Sequence, residues 1–110
     1  MLDDELERFR EKLINYSANE KLFLLSLFGH NITVMVRAIL TEAQIDPEKL
    51  YALNEIQHQV TSRMFNLLDE ADEWDEKVFV NSLSEHAETG NCKEEVEFAA
   101  KQTLSATEKT

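Results

Sequence analysis

Two 21-residue segments constrain this chain more than any other feature. EKLFLLSLFGHNITVMVRAIL at 20–40 and EKLYALNEIQHQVTSRMFNLL at 48–68 align without gaps at an offset of 28, with seven of 21 positions identical. Both carry apolar residues at 22/50, 25/53, 28/56, 32/60, 36/64 and 39/67. That spacing of threes and fours lines up one face of an α-helix, the face each segment should bury. Duplication and convergence both account for the likeness. Six connecting residues, 41–46 counted from the end of the first helix, make the pair antiparallel.

A second apolar stripe, Phe23, Leu27, Val34 and Ala38, runs behind the first in the earlier segment. Its counterparts in the later one are Tyr51, Glu55, Ser62 and Asn66. Helix two is therefore expected to be central and covered on both faces, while helix three shows its back to water. ITVMV at 32–36 has strand-like β-branched content and Gly29 could end a helix, but the apolar spacing continues through both.

The rest of the chain follows the same pattern. Leu2, Leu6, Phe9, Leu13 and Tyr16 form the stripe of a first helix, and SANE at 17–20 reads as a capping box opening the second. DPEK at 46–49 is an Asp N-cap followed by proline at the first helical position. A fourth helix is expected from near Asp75 to before Gly90. NCKE at 91–94 reads as a capping box for a fifth, through Val96, Ala99, Ala100 and Leu104. The expected fold is all-α: a single compact bundle of four to five helices, with helix two (about 18–40) central. One domain spans 1–104, and 105–110 is a frayed tail. Only two glycines and one proline interrupt the 110 residues, which suits helices better than β-turns.

Charge sets the expected partners. The net charge is −11, with ten acids and seven bases in residues 1–68 but eleven acids against Lys77 and Lys93 in residues 69–97. Such a field repels nucleic-acid phosphates and anionic lipid and speeds encounter with basic proteins. No nucleic-acid or membrane partner is expected, and no uninterrupted apolar run reaches the length of a span. The acidic N-terminus lacks the basic start of a secretion signal, and the lone Cys92 suits a reducing compartment, so a cytoplasmic location is expected.

Chemistry-bearing patterns are few. LLDEAD at 67–72 and TLSAT at 103–107 resemble two motifs of DEAD-box helicases, which would imply magnesium-dependent nucleotide hydrolysis. That chemistry needs a G-x-x-x-x-G-K-[ST] loop, which this sequence lacks, and residues 50–68 have helical rather than strand periodicity. The acids after Asp69 miss the EF-hand pattern, with Ala71 and Trp74 where it needs a carboxylate or amide and a glycine. His30, His58 and His86 fall on three helices with no close ligand spacing, leaving a small metal-binding protein as a third reading. Ser26, His30, Thr33 and Arg37 form a polar strip expected to find buried partners, Arg37 with a carboxylate. No catalytic residue, metal or cofactor is expected, and the chain is read as no enzyme.

The remaining concentration is Asp69, Glu70, Asp72, Glu73, Asp75 and Glu76 around Trp74, the single tryptophan. As a helix junction it would be solvated, with Trp74 folded back before an Asp75 N-cap. As an epitope it offers an aromatic anchor ringed by carboxylates to a basic partner, with Glu85 and Glu88 contributing. The expected function is an acidic protein-interaction module that binds and blocks such a partner. In size, acidity and helical character it resembles bacteriocin immunity proteins, which implies an inhibitor of a nuclease toxin. The alternative is a self-associating structural or regulatory helical protein, a homo-oligomer.

Overall fold

The computed structural model describes residues 4–69 and 75–108. These form five helices: α1 (Asp4–Asn15), α2 (Ala18–Leu40), α3 (Pro47–Asp69), α4 (Glu76–Thr89) and α5 (Lys93–Thr107). Among the described residues there is no strand. The helix starts follow local chemistry. Ser17 N–H donates to Glu20 Oε1 at 3.1 Å and Glu20 N–H donates to Ser17 Oγ at 3.4 Å, completing the capping box of α2. Hydrogen bonding from Ser17, its backbone N–H foremost, holds the Glu20 carboxyl below its ordinary pKa. Asp46 Oδ1 accepts from the backbone N–H groups of Glu48 and Lys49 at the start of α3. Asp75 Oδ1 accepts from Lys77 N–H at 2.8 Å and caps α4.

The shared stripe is the packing face of both long helices. Leu25, Phe28, Ile32 and Ile39 of α2 are buried, as are Leu53, Ile56 and Val60 of α3, with Val36, Leu50, Met64 and Leu67 partly buried against them. α2 packs on α3 and α5, and Phe9 of α1 reaches it, ring centroids 4.7 Å apart from Phe28. α4 and α5 complete the core with Phe79, Val80, Leu83, Val96, Ala99 and Leu104. α2 runs unbroken through Gly29, where an added Cβ would sit 3.4 Å from the Gln57 and Val60 side chains, so the two long helices lie close.

Three expectations change. The second stripe of α2 is not covered: Phe23 is 61% exposed and Val34 42%, and Ala38 is also exposed. α5 and α3 take up other sides of the helix, and among the described residues no element covers this one. Of the polar strip, Ser26, His30 and Arg37 are exposed and need no buried partners, while the partly buried Thr33 hydroxyl donates to Gly29 O at 3.1 Å. Finally, the helix of 93–107 starts one residue later than NCKE suggests, with Cys92 as N-cap and no side-chain cap hydrogen bond. Asn91 instead adopts φ 53° to end α4, a conformation asparagine tolerates better than most residues.

The described end of α5 is tied to α1, and residues 109–110 of the expected tail lie outside the described residues. The helix continues to Thr107, whose hydroxyl accepts from Lys12 Nζ at 3.1 Å, and Glu108 Oε1 accepts from Arg8 Nη2 at 2.9 Å. Inside, Asn31 Nδ2 of α2 donates to the buried Thr103 hydroxyl of α5 at 2.9 Å, and that hydroxyl donates to Ala99 O. The pair satisfies Thr103, the one fully buried polar residue among the described residues.

Cys92 is fully buried, and burial pushes its thiol up from 9.0 to about 11. The unfolded thiol therefore ionises first, so this group's contribution is intact below pH 9.0 and is lost as the pH rises towards 11. The native chain should react with a disulfide reagent at mildly alkaline pH only as fast as it unfolds, and immediately in urea. Equal rates with and without urea would show that the thiol is not buried.

Candidate functional site

Of the acidic positions singled out in the sequence, the structure describes the side chains of Asp75, Glu76, Glu85 and Glu88. Glu70, Asp72, Glu73 and Trp74 lie outside the described residues, and Asp69 closes α3. Asp75 is exposed, and its carboxylate serves the cap of α4. Glu76 points inward: its Oε1 accepts from Lys21 Nζ at 2.5 Å in a largely shielded pair joining the starts of α2 and α4. That carboxylate is engaged within the fold. Glu85 and Glu88 are exposed near the far end of α4, about 14–18 Å from Glu76 at 1.5 Å per residue. Among the described residues, Asp75 and Glu76 stand at the start of α4 and Glu85 and Glu88 near its end.

At that far end the structure forms a crevice that the sequence does not reveal. It is about 620 Å³, mostly apolar, and lies between the first turns of α3 and the last turns of α4. Pro47, Tyr51, Ala52 and Gly90 supply apolar surface, while Glu48 and Glu85 bring carboxylates. Tyr51 is 69% exposed, the largest exposure among the big hydrophobic side chains described. The crevice exists because the two helices approach within backbone contact: a Cβ on Gly90 would stand 2.2 Å from Ala52 Cβ and 3.1 Å from Glu48 O. His86 also lines the crevice, its Nε2 held 3.0 Å from Gln59 Nε2 of α3. An arginine or lysine entering here would find apolar walls for its stem, a ring for its cation and two carboxylates. Only Glu85 was visible as a candidate beforehand. Tyr51 and Glu48 give no sequence signal, because they matter only once α4 closes on them.

Among the described residues, the groups weighed for other chemistry are not brought together. His30 and His58 are exposed on the outer faces of α2 and α3, and His86 bonds to Gln59. Among the described residues no three His, Cys, Asp or Glu side chains gather as a metal site would require. The helicase-like TLSAT lies inside α5, and the described part of LLDEAD, residues 67–69, closes α3. By length and composition α2 is apolar enough to cross a membrane, at a mean hydropathy of 1.6. The expectation from uninterrupted runs missed this, because Gly29, His30 and Asn31 break the run without lowering the average far.

Compared with protein-family models, with curated proteins and with solved structures, the chain matches none.

Proposed function

We propose that the protein is a non-enzymatic, acidic interaction module that binds and blocks a basic protein through the crevice between α3 and α4. The observation that carries this reading is the combination of an exposed aromatic ring, Tyr51, with the carboxylates of Glu48 and Glu85 around an apolar hollow. A cationic side chain of the partner is the anchor. Glu88, one turn from Glu85, and the acids from Asp69 to Asp75 add a long-range field that steers the partner in. The concrete form is an immunity- or antitoxin-like inhibitor that masks the phosphate-binding lysines and arginines of a nuclease toxin.

The test is native co-purification at low salt followed by a salt gradient, then association kinetics with the protein recovered. The expected partner is basic, stoichiometric and released as salt rises. Glu48→Lys/Glu85→Lys should weaken its binding by about 100-fold, as buried or half-buried charge pairs commonly do. Asp72→Lys/Asp75→Lys should slow association by roughly tenfold with little change in dissociation. A partner with no excess of basic residues, or unchanged affinity in the crevice variant, would sink the reading.

A further inference from the structure

The outward stripe of α2 has no explanation in a monomer that binds through the crevice. Phe23, Leu27, Val34 and Ala38 recur at spacings of four, seven and four, so they share one face of the helix. Phe23 and Val34 are 61% and 42% exposed, Ala38 is exposed and Leu27 is half-covered. The stripe borders a hollow of about 410 Å³ toward α5 and the end of α1, where Tyr16, Phe23 and Ala106 provide apolar surface.

We infer that this stripe is the contact through which two copies of the chain pair, with their α2 helices antiparallel about a twofold axis. Three observations favour a second copy as the occupant. The first is self-complementarity. An antiparallel pair centred between His30 and Asn31 sets Phe23 opposite Ala38 of the second copy and Leu27 opposite Val34, each twice. A large side chain then meets a small one at both ends, and two branched ones meet near the middle, as an isologous interface requires.

The second is charge. Each copy carries −11, so most approaches set carboxylates against carboxylates. Between Lys21 and Leu40 there is no carboxylate at all, and the exposed charge beside the stripe is Arg37. This sector is where two like-charged copies repel least. An acidic flank also disfavours an anionic membrane: Glu20 stands at one end of α2, Glu42 and Asp46 at the other.

The third is size. α2 is about 34 Å long at 1.5 Å per residue. With the neighbouring edge of α5 it offers a footprint roughly 20 Å wide. That is roughly 700 Å² per copy, close to the ~800 Å² per partner of a standard stable interface.

Sedimentation equilibrium of the full chain, from micromolar to millimolar concentration, tests the pairing. The expected mass rises with concentration to twice 12.7 kDa. Val34→Glu should raise the dissociation constant by about 100-fold or more, because the twofold axis introduces the buried charge twice. Phe23→Glu provides a second reading if the first variant does not fold. Val78→Glu, at a 60%-exposed position of α4, should leave the equilibrium unchanged. A constant mass of 12.7 kDa throughout would overturn the inference. So would a dimer indifferent to both α2 variants, or a monomer that floats with phosphatidylcholine vesicles and loses that property on Val34→Glu. The last result would assign the stripe to lipid.

Discussion

Phe28→Ala should lower the unfolding free energy by about 3–5 kcal/mol, the usual loss for a phenylalanine truncated in a close-packed interior. Phe28 has no exposed surface, lies on the packing stripe of α2 and meets the Phe9 ring of α1. Its removal leaves a void bordered by helices that cannot all collapse into it. For a domain of this length the loss is a large share of a total of about 5–15 kcal/mol. Phe23→Ala, on the same helix but 61% exposed, should cost less than about 1 kcal/mol when measured at concentrations where copies stay apart. Urea titrations of both variants check the contrast through their midpoints at constant slope. Equal losses would mean that α2 is rotated from the orientation described.

Gly90→Ala should be the next most damaging small change, at about 1–3 kcal/mol. The new methyl would sit 2.2 Å from Ala52 Cβ, deep between two backbones, where neither group is a flexible side-chain end. Ala52→Gly alone should cost about 1 kcal/mol, as glycine does inside a helix. Combined, the two should destabilise by less than the sum of the singles, because the α3 change removes the atom that the α4 change strikes. A favourable coupling of about 1 kcal/mol in that double-mutant cycle is expected. Strict additivity would show that the helices do not meet at these two residues. Because Gly90 and Ala52 also line the crevice, the same variants report whether its walls hold their spacing when one methyl moves across.

Gly90 also illustrates where sequence reading succeeds and where it stops. A glycine at a helix end signals termination, and α4 does end there. Yet its φ is −86°, which any residue could adopt. It is a glycine because α3 passes too close for a Cβ, and the left-handed turn falls to Asn91. Reading Asn91 as a cap placed the following helix one residue early for that reason. Periodicity, in contrast, located most of the packing face of α2 and α3, because each helix's pattern is self-contained. It left out Leu24 and Ala52, which are buried beside the stripe, and included Leu22, which is only partly buried. What periodicity could not give was the number of neighbours. A second apolar stripe on α2 implies something to cover it, but not whether that is another helix of the same chain. The crevice was hidden for a related reason: Tyr51 and Glu48 are 34 or more positions away from Glu85 along the chain. The acids near Trp74 stood out instead because they are adjacent in sequence, and one of them, Glu76, is engaged with Lys21.

The fastening of Thr107 and Glu108 to Arg8 and Lys12 joins two stretches almost a hundred residues apart. α1 and the last turn of α5 therefore share one fate. Closing so long a loop is entropically expensive, so this seam has little reason to form before the α2–α3 hairpin has brought the chain together. Once formed, it makes each of these two helices the guardian of the other. Loosening the last turn of α5 would release a hold on α1, and displacing α1 would do the same to α5. The two would come away as a pair, while the two long helices at the centre stay closed.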